Sequence, residues 1–136
     1  MPDRRNLLVV EENLLYFSGV KDLKAYDVTI WGDCAIRTLE MGDPTKQKVV
    51  FLHQYGASGA LYFEIMKPLS EHFHLIFFDQ VGMGASQRYP FTAKSAEEGE
   101  KYFVDFIESW RSEMKLEKFI LIGHSFGGFL SGLYAS

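Results

Sequence analysis

Residues 119–130 read Phe119-Ile120-Leu121-Ile122-Gly123-His124-Ser125-Phe126-Gly127-Gly128-Phe129-Leu130. The apolar run 119–122 has the pattern of a strand buried on both faces of a sheet. It leads straight into Gly123-His124-Ser125-Phe126-Gly127, and an apolar segment of helical character, 126–136, follows. A serine between such a strand and such a helix has a specific physical reading. The chain must turn sharply, and only neighbours without a Cβ tolerate the close approach. Gly123, Gly127 and Gly128 meet that need, which leaves the Ser125 hydroxyl projecting above the sheet. Ser125 would also stand at a helix N-terminus, where free N–H groups favour developing negative charge. The competing reading is an ordinary turn serine, and the flanking strand and helix argue against it.

Working outward, 75–78 and 49–52 are further continuous apolar runs, and helical patterns separate the three. Ser95-Ala96-Glu97-Glu98 is a capping-box pattern. It predicts a helix whose apolar face is Phe103, Phe106, Ile107, Trp110 and Met114. Leu61, Ile65, Leu69 and Phe73 mark a second helix, with Pro68 expected to kink it or split off its last turn. Upstream, 25–31 and 34–39 flank Gly32-Asp33 and predict a hairpin. The apolar stretch 7–17 reads as a helical lead-in. The order is a β-hairpin followed by β-α-β-α-β-α, which predicts an α/β fold with a mainly parallel sheet covered by helices. Residues 1–24 form a lead-in segment and 25–136 the domain.

Composition narrows the function. The 136 residues are 47% apolar and 24% charged, ordinary for a globular chain. A net charge of −4 argues against a nucleic-acid module. No apolar stretch approaches the length needed to span a bilayer, and the polar start at 1–6 is no secretory signal. The single cysteine, Cys34, excludes an intrachain disulfide, fits a reducing compartment and reads as a small buried hydrophobe. No cofactor or metal site is expected.

Two loops bear on chemistry. His53-Gln54-Tyr55-Gly56 follows the strand at 49–52, where a loop donating N–H groups to an oxyanion belongs. The N–H groups of Tyr55 and Phe126 are then the two expected donors, with His53 anchoring the loop rather than acting as a base. The second loop is Asp79-Gln80-Val81-Gly82-Met83-Gly84-Ala85-Ser86. It is glycine-rich but lacks both G-x-G-x-x-G and a phosphate-binding lysine, so it reads as a border of the site. His74 and Asp79 have an H-x-x-x-x-D spacing found in some acyltransferases. Five residues apart along one strand, they point to opposite faces and cannot readily share a substrate.

Taken together, these residues resemble the α/β-hydrolase fold superfamily, and within it a lipid-acting branch of phospholipid lipases and a lipid-droplet lipase co-activator. The resemblance runs from about residue 25 onward. It rests on Leu39-Glu40-Met41-Gly42, the His53 loop, Asp79 to Ser86, Trp110-Arg111 and the stretch from Gly123 to Leu130. It implies hydrolysis of, or acyl transfer from, carboxylic esters of lipids by Ser125, in the cytoplasm or peripheral to a membrane or lipid droplet. His53, Gly56, Asp79, Gly82, Gly84, Gly123, His124, Gly127 and Gly128 would support the motif.

Two departures stand out. The family has His-Gly where this chain has His53-Gln54, and glutamine lacks glycine's positive-φ freedom. Co-activator members can carry asparagine at the nucleophile position, whereas this chain keeps Ser125. The family's triad places an acid and then a histidine after the serine. The 11 residues after Ser125 contain no Asp, Glu or His, and the upstream His53, His72, His74 and His124 are not placed as bases. The expectation is therefore the N-terminal half of this fold, inactive as it stands because an unassisted serine hydroxyl is a poor nucleophile, and with 119–122 left as a bare edge where a further strand and helix would cover it. A non-catalytic binding or co-activator protein, or a degenerate remnant, is the alternative.

Overall fold

Alternation along two neighbouring strands sets the architecture. In the computed structural model, which describes residues 3–136, Val50, Leu52, Ile76 and Phe78 enter one hydrophobic cluster. Val49, Phe51, Leu75 and Phe77 enter the other. Both faces of these strands are therefore core, as their unbroken apolar runs require.

The strands are β1 Lys24–Ile30, β2 Cys34–Met41, β3 Lys48–Leu52, β4 His74–Phe78 and β5 Ile120–Gly123, in spatial order β1-β2-β4-β3-β5. β3 pairs in parallel with both β4 and β5. β2 runs antiparallel to both β1 and β4. The sheet is thus mixed: parallel where the chain alternates with helices, antiparallel where the hairpin joins it. The helices are α1 Arg4–Ser18, α2 Phe63–Ser70, α3 Ala96–Met114 and α4 Phe126–Ala135. One cluster takes in Leu15 of α1 and Met66 of α2. The opposite one takes in Phe106, Ile107 and Trp110 of α3 and Leu130 of α4.

Helix α3 carries much of that second core. The Trp110 ring stacks on Phe78 at 4.1 Å between centroids, and its indole N–H donates to Thr38 Oγ1 at 3.1 Å. Burying each such aromatic contributes roughly 1.5–3 kcal/mol. Ser95 Oγ accepts from the Glu98 N–H as the capping pattern predicts, but the Glu98 carboxylate reaches one residue further back, to the Lys94 N–H. The lead-in is helical and tied down: Glu11 of α1, 6% exposed, meets Arg37 of β2 at 2.8 Å.

The strand at 119–122 is the bare edge expected of it, β5, with Ile120 47% and Ile122 39% exposed. Three expectations need correction. The helix expected from Leu61 to Phe73 is a 3₁₀ turn, Gly59–Tyr62, followed by the short α2, and its buried residue is Met66. Pro68 lies inside α2 without dividing it. The hairpin turn takes in Trp31 as well as Gly32 and Asp33, since Ile30 pairs with Cys34. Trp31 adopts φ 52°, held by its packing on Tyr89, Tyr102 and Phe106 and by its indole N–H bond to Ser109.

Candidate active site

β3 and β5 deliver two loops to the same end of the sheet. Ser125, the residue before α4, is exposed and adopts φ 56°, ψ −115°. That combination lies outside the ordinary left-handed basin and is strained for any residue with a Cβ. The surroundings enforce it. A Cβ on Gly123 would meet the Gly127 carbonyl oxygen at 2.2 Å, and one on Gly127 would meet the Leu52 and His53 carbonyl oxygens at 2.3 and 2.6 Å. Gly128 is nearly as constrained, with 3.2 Å to the Gly123 oxygen. These backbone approaches press the start of α4 onto the end of β3. The His124 N–H also donates to the Leu52 carbonyl at 3.1 Å.

The loop after β3 is held from beneath. His53 is fully buried; its Nε2 accepts from the Gln80 N–H at 2.8 Å, so Nδ1 carries the proton and donates to the Gln54 carbonyl at 2.7 Å. Burial pushes this imidazole below its ordinary pKa, so it is a neutral strut. The Gln80 side chain returns a bond from Nε2 to the His53 carbonyl at 2.6 Å. Gln54 does not create the difficulty expected of it, because the left-handed position of the loop is Gly56, at φ 73°. Tyr55 is 75% exposed, and its ring meets that of Phe126 edge-on at 5.9 Å. The residues named for the two oxyanion donors are thus neighbours across the loop and the elbow. Phe126, as the first helical residue, has no intrahelical acceptor for its N–H.

The third loop is clamped by one carboxylate. Asp79, 1% exposed, accepts the Gly59 N–H on Oδ1 at 2.7 Å and the Ala85 N–H on Oδ2 at 2.9 Å. Burial raises its pKa while the two N–H bonds oppose that rise. Gly84 must be glycine here, since a Cβ would fall 2.3 Å from Asp79 Oδ2, and Gly82 turns the loop at φ 79°. The carboxylate occupies the loop N–H group that an anion would need, which accounts for a glycine-rich loop that is not a phosphate cradle. His74, at the far end of β4, bonds Glu40 at 2.6 Å and shares nothing with Asp79.

Tyr62 went unnoticed in the sequence. Its hydroxyl accepts the Gln54 N–H at 3.1 Å and lies 2.8 Å from His124 Nδ1. No local pattern marks it, because its partner His124 is 62 positions away.

Beside the elbow, Phe126, Phe129 and Leu130 of α4 and Ala96, Gly99, Glu100 and Phe103 of α3 line a mostly apolar groove of about 280 Å³. Another cavity, of about 270 Å³, lies between α1 and the loops at 56–61 and 84–88, away from Ser125. No histidine or carboxylate hydrogen-bonds the Ser125 hydroxyl among the described residues. His53, His74 and His124 are engaged elsewhere, and His72 is exposed beyond α2 at the opposite end of the sheet. Among the described residues, no cluster of metal-ligating side chains occurs.

Residues 48–136 match the family model described as alpha/beta hydrolase fold. The chain belongs to the α/β-hydrolase fold family. Within that family it is 45% identical over 94 residues to a 1-acylglycerol-3-phosphate O-acyltransferase of Arabidopsis thaliana, covering 69% of this chain and 22% of that protein. It is 39% identical over 90 residues to the human 1-acylglycerol-3-phosphate O-acyltransferase ABHD5, covering 66% and 26% respectively. The crystal structure of a membrane phospholipase A, a bacterial virulence factor, superposes with a TM-score of 0.75 at 21% identity, over 97% of this chain and 39% of that one. The α/β-hydrolase chain thus spans about a quarter of the length of these curated relatives. The lipid-acting branch fits its relatives.

Proposed function

We propose that this α/β-hydrolase chain is the N-terminal part of an enzyme that hydrolyses, or transfers acyl groups from, carboxylic esters of lipids. The observation that carries the reading is Ser125 at φ 56°, ψ −115°, a strained serine on a glycine-walled turn. Its Oγ would attack the ester carbonyl carbon, passing its proton to a general base as the C–O bond forms. The Phe126 and Tyr55 N–H groups would hold the negative oxygen of the tetrahedral intermediate, aided by the N-terminus of α4. Collapse of that intermediate expels the alcohol. Water then frees the acid, or a second lipid hydroxyl accepts the acyl group. Residues 25–136 form this chain's share of that domain, with 1–24 as its lead-in. His53, Gly56, Asp79, Gly82 and Gly84 hold the loops, and Gly123, Gly127 and Gly128 make the turn possible. The relatives' names and the apolar groove beside Ser125 support an acylglycerol-type substrate. We place the protein in the cytoplasm, in peripheral contact with a lipid surface; no helix among the described residues is long and apolar enough to cross a membrane.

The unassisted Ser125 hydroxyl favours a second reading, a non-catalytic binding or co-activator protein on the same scaffold. One experiment separates the two. The chain and its Ser125→Ala variant are treated with an alkyl fluorophosphonate across a range of imidazole concentrations, and adducts are mapped by mass spectrometry. Short-chain ester turnover is measured in parallel without imidazole. Phosphonylation of Ser125 that rises with imidazole, with no turnover above the alanine variant, supports a prepared nucleophile lacking its base. No adduct at any imidazole concentration supports the second reading. Ser125-dependent turnover without imidazole would show that a base is already present.

A further inference from the structure

We propose that Tyr62 is a positioning residue that locks the oxyanion loop to the nucleophile turn, with His124 as its partner. The inference rests on the proposed role of Ser125 and names the device that would hold the two halves of its site in register. Tyr55 and Phe126 must present their N–H groups to a single oxygen atom. Phe126 is fixed by the helix that it begins, but Tyr55 lies on a surface loop, three-quarters exposed. His53 and Gln80 anchor the base of that loop to the end of β4, and the His124 N–H bond to Leu52 ties the turn to the end of β3, but none of these hydrogen bonds joins the loop directly to the turn.

Tyr62 supplies a link between the two. Its hydroxyl takes the N–H of Gln54, the residue immediately before Tyr55, at 3.1 Å, and it reaches His124 Nδ1, immediately before Ser125, at 2.8 Å. Where Nδ1 is the acceptor, the chain of donors runs from Gln54 N–H to Tyr62 Oη–H to His124 Nδ1. One hydroxyl therefore spans the residues that precede a proposed donor and the proposed nucleophile. The ring is in turn held by its neighbours: it lies 4.6 Å from Phe51 and 6.4 Å from Phe77 between centroids, and meets the His124 ring edge-on at 5.8 Å. A hydroxyl on a wedged ring cannot drift, which is what a positioning group needs. It also gives His124 a reason to be histidine at a position where the turn itself asks only for a side chain pointing outward.

The test uses Tyr62→Phe, which keeps the packed ring and removes only the hydroxyl, along with His124→Ala and the double variant. Ser125 phosphonylation in imidazole is resolved into probe affinity and bond-forming rate. Amide hydrogen exchange at 54–56 and thermal midpoints are measured on the same proteins. The expected result is that each single variant lowers the bond-forming rate by about ten- to a hundredfold, with probe affinity and midpoint unchanged. The double variant falls no further than the worse single, because both break the same chain. Wild-type rates in Tyr62→Phe, multiplicative losses in the double variant, or a rate loss accompanied by a lowered midpoint would overturn it. If the wild type takes no label at all, the role of Ser125 fails separately. Amide exchange then decides the link: acceleration at 54–56 in both single variants supports it, and unchanged exchange overturns it.

Discussion

Replacing Ser125 by glycine should make the protein more stable. The perturbation removes a Cβ and hydroxyl from a residue held at φ 56°, ψ −115°, a conformation that glycine adopts freely. A non-glycine residue in such a region costs about 1–3 kcal/mol. Glycine restores about 0.5–1 kcal/mol of that to the unfolded chain as extra entropy. Ser125 is exposed and its hydroxyl does not cap α4, so little else is lost. The net gain lies between about 0 and 2.5 kcal/mol and centres near 1 kcal/mol, a rise of roughly 4 °C in the midpoint of a domain this size. Ser125→Ala keeps the Cβ and should melt within about a degree of wild type. Lys115, with φ 56° and ψ 38°, sits in the ordinary left-handed basin at the end of α3 and gives an internal scale. Lys115→Gly should gain less than Ser125→Gly. Calorimetry or circular dichroism on the three variants reads the result. A Ser125→Gly midpoint no higher than that of Ser125→Ala would refute the claim that the turn stores strain.

Four other substitutions probe the frame around it. Gly127→Ala drives a methyl group into the Leu52 and His53 carbonyl oxygens, backbone atoms with little room to move, and should cost about 3 kcal/mol in denaturant unfolding. Gly132→Ala, with nothing within 4 Å, should instead gain about 0.5–1 kcal/mol. In Asp79→Asn an amide nitrogen must face the Gly59 or Ala85 N–H, leaving a buried donor opposed by another. A loss of about 1–3 kcal/mol is expected by the same assay at pH 7. His53 has a folded pKa below its ordinary 6.5, so the unfolded state binds its proton first as pH falls. Wild type should therefore lose stability relative to a non-titrating His53→Gln variant from about pH 6.5 downward, until the folded pKa is passed. Within that window the gap between the two, measured by urea unfolding, should narrow by up to about 1.4 kcal/mol for each unit fall in pH. A gap constant between pH 7.5 and 5 would count against the buried neutral strut.

Local chemistry made the turn at Ser125 legible before any coordinates. Three glycines around one serine, between an apolar run and a helical segment, are a statement about steric room, and the 2.2–2.6 Å approaches at Gly123 and Gly127 are its physical content. The capping serine of α3 and its apolar face were readable for the same reason, because periodicity and capping act within a few residues. Asp79 and Gly84 stood together in one glycine-rich loop, yet the pattern could not say that one carboxylate closes it by taking two backbone N–H groups.

What sequence alone determined is the order of elements and the identity of the serine turn, since both depend on neighbours in the chain. The remainder came from packing between segments far apart in sequence. Whether an apolar run becomes a central strand or an edge is set by its partners: 119–122 has the same pattern as 75–78, yet with β3 as its one neighbour it is half exposed. Gln54 stood where a glycine was expected, and only the folded loop could move the positive φ two residues on, to Gly56. The contact from Tyr62 to His124 exists because the parallel pairing of β3 with β5 brings their loops to one end of the sheet. A hydroxyl that bridges 62 residues leaves no mark in either local pattern, because hydrogen bonding acts over ångströms and not over positions in the chain.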